Sequence, residues 1–464
     1  MTSAIKHRIA QLQQGIVPKG YKKGTIGIVP EEWRSISFST LFTSTNRYTD
    51  DLSRYPLYSL TIEDGITKKT DRYERSHLVK KENSYKVVQP NDYAYNPMNI
   101  RFGAVARHKG NMPVAVSGYY DIFNVIHESD RAFMDCFLTC DSMITYYNKV
   151  STGSLIEKQR VHFSDFMEFS IELPPIEERK EIAKILAAQD RVIELLNRKI
   201  EHLKLLKKYY LRKMFPQHGK TVPEVRFPGF AGAWERKRLD DVFSEHTEKG
   251  HPELPALTIV QGGGTIKRDE SERKLHYDKN YLSNYKVVDK GDFIVHLRSF
   301  EGGLEVATTR GLISPAYNVF RGKAIDPRFY YAYFRSPEFI HGDLTPHVYG
   351  IRDGRSIDID GLKSIRIPYA PLAEQKAVGN FIATVDNQIA LHQRKHDEEV
   401  RKKKALMQLL LTGIVRVCGV ESGVGKRHLA AYKSGNEAAG SRFSTGIVKR
   451  SGRYHISDEE KSHG

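Results

Sequence analysis

Hydrophobic positions along this chain follow two regimes. In the first, short runs alternate apolar and polar residues and are broken by turn residues, as at 85–88 (YKVV), 104–107 (AVAR), 121–126 (DIFNVI) and 292–297 (DFIVHL). Successive side chains of a strand point to opposite faces, so these runs predict strands of a compact mixed domain. Residues 327–339 (PRFYYAYFRSPEF) predict a helix among them. In the second regime the spacing changes. After Pro174-Pro175, apolar residues fall at Ile182, Leu186, Ile193, Leu196, Ile200, Leu203, Tyr210 and Met214, in steps of three, four and seven. That is the heptad-like seam of one long helix. Glu177 and Glu178 in its first turn suit the positive end of the helix dipole, and Pro216 ends it. From Glu177 to Met214 such a helix is about 55 Å long. A second begins after Pro371 and runs to about Leu411, with seam positions Val378, Ile382, Val385 and Ile389, then Leu406 and Leu410. Between them the seam is polar, at His392, His396, Glu399 and Lys403. Imperfect pairing is expected there, with water or another subunit against that stretch.

The two regimes occur twice. Tyr85-Lys86-Val87-Val88 returns as Tyr285-Lys286-Val287-Val288, and Asp92 as Asp292, each 200 positions later. Leu60-Thr61-Ile62 with Gly65 matches Leu257-Thr258-Ile259 with Gly262. Residues 33–42 (WRSISFSTLF) match 234–243 (WERKRLDDVF), and 178–190 (ERKEIAKILAAQD) match 374–386 (EQKAVGNFIATVD). The period far exceeds the roughly 20–50 residues of a solenoid unit, so it marks a duplicated domain. One unit is built to do one job at two places. The expected organisation is a first globular domain over 1–175, a long helix over 176–216, a second domain over 217–367 and a second helix over 368–417. Residues 418–464, rich in Gly, Ser and Lys without sustained period, predict a disordered basic tail.

Composition narrows the class. The 464 residues suffice for two or three domains, at an ordinary 40% hydrophobic and 28% charged. No apolar run approaches the ~20 residues of a membrane span, and the N-terminus has no signal-peptide core. The three cysteines, Cys136, Cys140 and Cys418, are too few and odd for a disulfide framework and fit a reducing cytoplasm. Cys136 and Cys140 are expected to be buried and apolar. Lys and Arg number 72 against 56 acids, a net charge of +16, which points to a polyanionic partner.

Motifs for covalent chemistry do not hold up. Asn96-Pro97-Met98 is similar to the loop that positions the target amine in amino-methyltransferases, but no glycine-rich cofactor turn stands in register and the other copy reads Val295-His296-Leu297. Gly419 to Lys426 misplaces the first glycine of a phosphate loop, and Arg427 stands where a magnesium-binding hydroxyl is required. Glu178-Arg179-Lys180 and Glu374-Gln375-Lys376 each open a helix, where acids stabilise the dipole. The 18 histidines show no zinc-like spacing. Neither a cofactor nor a metal is expected.

Taken together, residues 18–33 (PKGYKKGTIGIVPEEW), 174–215, 225–234 (VRFPGFAGAW), 368–386 and 409–417 (LLLTGIVRV) resemble, in order, the specificity subunits of type I restriction-modification systems. The resemblance covers about 18–417. It implies an α+β chain: two similar target-recognition domains joined by two long helices packed as an antiparallel coiled coil. It further implies that each domain reads half of a split double-stranded DNA sequence. The helices would set the spacing and dock adenine methyltransferase subunits, two in number. Methylation and ATP-driven cleavage would belong to those partners and to restriction/translocase subunits.

Phosphate contacts need Lys, Arg or hydroxyl groups, and base readout favours Arg for guanine and Asn or Gln for adenine. Candidates in the first domain are Lys68, Lys69 and Arg72 in a basic turn, then Thr152, Lys158, Gln159 and Arg160 before the last strand. The matching places in the second are Lys267 and Arg268 (beside Thr265), then Tyr349, Arg352 and Arg355. Tyr119, Tyr120 and Tyr317 are aligned aromatics expected to pack in the core. Two other readings compete: a single-chain DNA methyltransferase or nuclease with its own recognition domains, and a coiled-coil scaffold with no DNA role.

Overall fold

The computed structural model describes residues 3–68, 84–155, 159–217, 219–271, 279–350 and 355–417. Lys69, Arg72, Lys158, Arg352, Cys418 and the 418–464 segment lie outside the described residues. The chain divides into two compact units, one drawn from Met1–Val192 and Glu399–Gly464, the other from Ile193–Glu398.

In the first unit an antiparallel four-stranded sheet runs in the order Val105–Arg107, Tyr93–Tyr95, Asp121–Val125, Phe42–Ser44. In the second the order is Glu305–Val306, Phe293–Val295, Asn318–Gly322, Phe243–His246. These are the same four strands of the repeat in the same order. Tyr85–Val88 pairs with Val114–Ser117 in one unit, as Lys286–Val288 pairs with Gly311–Ile313 in the other. The last strands, Ser170–Leu173 and Arg366–Tyr369, pair back with the first strands of their units, Arg34–Ser37 and Glu235–Arg238. The apolar face of each sheet closes on an aromatic core. Phe38, Phe42, Tyr93, Phe123 and Phe166 fill the first, and Phe243, Phe293, Phe329, Tyr330 and Phe334 the second.

The strongest repeat residues serve this scaffold. Asp92 and Asp292 are buried and accept from the backbone of Gln89 and Asp289 (3.1 and 2.8 Å), closing the turn between two strands. Burial pushes the Asp92 carboxyl above its usual range. Lys86 and Lys286 donate to the carbonyls of Tyr120 and Tyr317 (2.6 and 2.7 Å). Cys136 and Cys140 are buried, and desolvation pushes both thiols up to about 11, which makes them unreactive. Tyr120 and Tyr317 pack against core clusters as expected, but Tyr119 does not: it is exposed, and only its neighbour turns inward.

One alignment needs shifting. The hairpin ladders pair Thr61 with Gly65 and Val260 with Gly264, each across a three-residue turn. Gly65 therefore corresponds to Gly264, not Gly262, because these two close the ladder at the same register, each with left-handed backbone (φ +69 and +72).

The long helices span Ile176–Lys213 and Leu372–Leu411, each starting directly after its proline. Within the first unit Ile182 and Leu186 meet the core alongside Leu406 and Leu410. Within the second, Val378 and Ile382 join the core, and the rings of Tyr210 and Phe381 cross at 4.7 Å. Ile200, Leu203 and Val385 are buried, whereas Ile193, Leu196, Ile389 and Leu406 are half-buried. Rising numbers on one helix meet falling numbers on the other, so the segments run antiparallel: in one unit Gln189 meets Glu399 while Arg416, past the end of the second helix, reaches Glu178 near the start of the first, and in the other Lys207 meets Asp386 and Tyr210 meets Phe381. The expected mismatch along the polar seam is corrected in part. Gln189, 1% exposed, donates to the Glu399 carbonyl and carboxylate, and Lys403 pairs with Asp190. Polar groups there find cross-helix partners instead of leaving a gap. His392 and His396 are half-buried, their ring nitrogens bonded within their own helix, to the Gln388 carbonyl and to Asp397.

A helix at Ser3–Gln13, unmarked by sequence period, returns to the end of the described chain. Arg8 donates to the Ile414 carbonyl, and the Tyr21 hydroxyl to that of Gly413 (2.8 Å).

Candidate nucleic-acid interface

In both units the loop before the last strand rests on the short turn that follows the second strand of the sheet. In the first unit Thr152 and Arg160 exchange two backbone hydrogen bonds (2.9 Å each), closing a loop that opens at Gly153 with φ +142. Gln159 accepts from the Arg101 guanidinium, and Asn148 donates to the Arg101 carbonyl at 2.8 Å. In the second unit Val348–Tyr349 pairs with Ser356–Ile357, and Gly350 turns with φ +92. Arg355 lies over the Phe300 ring at 5.7 Å. The loop thus meets the turn in both copies through different chemistry, a guanidinium of the turn bonded to a loop amide in one and a guanidinium of the loop over a turn ring in the other.

These contacts refine the candidate residues. Thr152 and Tyr349 are exposed, Tyr349 at 59%, and Arg160 is half-buried with its backbone fixed. Gln159 is engaged by Arg101, so base readout by Gln159 would require breaking that bond. Lys68 and Lys267 end the second strands of the hairpins Tyr58–Thr61/Gly65–Lys68 and Leu257–Val260/Gly264–Lys267 and are exposed, Lys267 with a 3.5 Å ion pair to Glu270. Arg268 follows as a half-buried residue. Thr265 is buried, its hydroxyl bonded to Thr308, and faces the protein.

Three residues that sequence reasoning passed over join the second unit's site. Leu297 is 69% exposed and Arg298 exposed, at the start of the Ser299–Gly302 turn. Gln261 crowns the hairpin turn and lies across Gly302, where a Cβ would come within 2.2 Å of its side-chain nitrogen. Ser299–Gly302 therefore bridges the hairpin tip and the Arg355 loop into one surface bearing Gln261, Leu297, Arg298 and Arg355. The signal was present: 96–102 and 296–302 show low similarity shortly after the matched Tyr85–Val88 with Asp92 and Tyr285–Val288 with Asp292. Beneath this surface His296 accepts from the Arg298 N–H through Nδ1 (3.2 Å), as Asn96 accepts from Met98 (3.1 Å) in the other copy. Burial, then Arg335 and Arg298, depress the His296 imidazole to about 4, so it is neutral at pH 7. The chemical inventory of this surface is donors in a fork, an amide and an apolar tip. It suits guanine or adenine edges and a thymine methyl.

Residues 73–205 match the family model of the type I restriction modification DNA specificity domain. The chain is 30% identical over 276 residues to the type I restriction enzyme MjaVIII specificity subunit of Methanocaldococcus jannaschii, covering 54% of this chain and 63% of that relative's length. To the putative type I restriction enzyme MjaX specificity subunit of the same organism it is 24% identical over 433 residues, 86% of this chain and 97% of the relative. A solved S subunit of a type I restriction-modification system from M. genitalium aligns over 82% of this chain and 96% of its own, at 12% identity and a TM-score of 0.49. Among the described residues no helix is long and apolar enough to cross a membrane. Residues 73–205 thus match a type I restriction modification DNA specificity domain, and the chain as a whole is similar to type I restriction enzyme specificity subunits.

Proposed function

We propose that this chain is the DNA-reading subunit of a type I restriction-modification complex in the cytoplasm. Each unit reads one half of a bipartite double-stranded target. The long helices set the unread spacer and dock two adenine methyltransferase subunits, and methylation and ATP-driven cleavage belong to these and to restriction/translocase partners. The observation that carries the reading is the duplication itself. One scaffold occurs twice, with the same strand order and the loop before the last strand seated on the same turn, yet with different side chains on that loop and turn. A frame repeated with altered tips is what two independent readers of different sequences require. The charge of +16 suits the phosphate backbone both readers share.

The test is to express the chain with its methyltransferase and map the adenines that become methylated. Two short motifs separated by a fixed unread gap are expected, and one uninterrupted motif would sink the reading. Insertion of four residues between Leu196 and Ile200 adds about 6 Å of helix, close to two base pairs at ~3.4 Å each. It should lengthen the gap or abolish methylation. An unchanged gap with full activity would remove the helices' spacing role.

A further inference from the structure

Glu305 is the most deeply buried carboxylate at the second unit's DNA-facing surface, with no exposed side-chain area. Its oxygens accept four hydrogen bonds, which fills a carboxylate's lone-pair sites. One oxygen receives the Gly262 N–H (2.7 Å) and the Arg335 guanidinium. The other receives the Gly264 N–H (3.1 Å) and the Tyr331 hydroxyl (2.9 Å). Two of these donors are backbone amides of the hairpin turn that carries Gln261. Both glycines are left-handed, φ +81 and +72, and a Cβ on Gly264 would come within 2.7 Å of the Val306 carbonyl oxygen. The turn is held against the strand beneath by a charge, not only by packing.

The fold does not require this device. The ladder pairs Glu305 with Ile294 as it pairs Ala106 with Ala94, and Ile294 stands 200 positions after Ala94. Ala106 therefore occupies the place of Glu305 in the first unit. There, among the described residues, the equivalent turn closes without a carboxylate beneath it, through Thr61, whose hydroxyl accepts from the Asp64 N–H (3.1 Å). The same sheet and the same hairpin form with an alanine in that place. Burying a carboxylate costs several kcal/mol in desolvation even when it is well paired, so its presence in one copy alone calls for a local purpose.

We propose that Glu305, with Arg335 and Tyr331 as its partners, is a positioning residue that fixes the 261–264 turn for readout of one half-site. The inference rests on the DNA-reading function above. Backbone fixed before binding loses no ordering entropy at the encounter, and a turn held in place discriminates between base edges that a loose one would accommodate. The requirement is greatest for a turn rich in glycine, the residue with most conformational freedom to lose.

The experiment compares the wild-type chain with Glu305→Gln and Tyr331→Phe, each expressed with the methyltransferase and offered a plasmid library randomised at both half-sites. Glu305→Gln removes the charge and turns one acceptor into a donor that faces donors. Discrimination should fall about tenfold at one or more positions of the second half-site, the scale of a disturbed base contact, with the first half-site unchanged. Tyr331→Phe removes one donor of four and should relax the same positions less. Should the Glu305→Gln complex prove inactive, the Tyr331→Phe pattern decides alone. Unchanged discrimination in Tyr331→Phe and in any active Glu305→Gln complex would overturn the assignment, and so would equal relaxation of both half-sites, which marks general loss of structure. A wild-type complex that methylates one uninterrupted motif would instead remove the bipartite reading on which the inference rests.

Discussion

Substituting Arg226 by Ala should unfold the second unit at a markedly lower temperature. Glu374, 1% exposed at the start of the second long helix, accepts from Arg226 at 2.6 and 2.8 Å and from the Trp234 indole at 2.9 Å. Its bond to Glu374 holds the Arg226 guanidinium firmly charged, above its usual range. Without the guanidinium the carboxylate stays buried with the indole as its remaining partner, and breaking a buried pair from one side costs about 3–5 kcal/mol. The Arg226 side chain is 14% exposed, so water recovers part of the loss and the lower end, about 3 kcal/mol, is expected. For a unit of this size each kcal/mol is worth about 2–4 °C, so the melting temperature should fall by about 6–12 °C. The chain holds two tryptophans, Trp33 in the first unit and Trp234 in the second. In a Trp33→Phe background, indole fluorescence therefore follows the second unit alone. The control is Arg226→Met combined with Glu374→Gln, which removes both charges, keeps an acceptor for the Trp234 indole and should be clearly more stable than the single variant. A fall under about 2 °C in Arg226→Ala, or a double variant as unstable as the single one, would refute the argument.

The first unit offers the matching test. Arg416 bonds Glu178 at 2.6 and 2.8 Å, while the buried Trp33 indole nitrogen has no acceptor among the described residues, so Arg416→Ala in a Trp234→Phe background should cost about 3 kcal/mol or more on the same melt. His296 gives a pH dependence. Above about 6.5 both folded and unfolded forms are neutral; as pH falls toward about 4 the unfolded chain takes up a proton that the folded unit refuses, so stability declines over that window. His296→Asn, the residue of the other copy, should flatten the dependence in urea midpoints read at pH 7, 5.5 and 4.5, and an unaltered slope would exonerate the imidazole. Arg160→Ala should weaken the first half-site only, and Arg298→Ala or Arg355→Ala the second only. Affinity over a salt series separates a base contact, worth about 1–3 kcal/mol for the cognate base, from a phosphate contact that lowers the salt slope by about one for all sequences.

Sequence alone determined the duplication, the two long helices with their starts after Pro175 and Pro371, and the strands of each unit. These are carried by periodicity, and the side chains concerned, such as Val87, Val287, Ile182 and Ile382, are buried wherever neighbouring elements end up. The loops before the last strands were also legible, because glycine and basic residues recur at matched places. Tertiary structure decided what touches what. That Gln189 would reach Glu399 and Arg416 would close on Glu178 depends on segments 210 and 238 residues apart, a distance over which no local period carries information. The same holds for the candidate site. Gln261, Leu297 and Arg298 sit on separate turns that become one surface only when the Ser299–Gly302 turn is seated between them, and Arg101 and Phe300 were invisible as partners of the loops for that reason. Glu305 is the clearest case. In sequence it is one acid beside an alternating run, and it acquires meaning when the ladder sets it opposite Ile294 and beneath two glycine amides, a conjunction of three strands that only folding supplies.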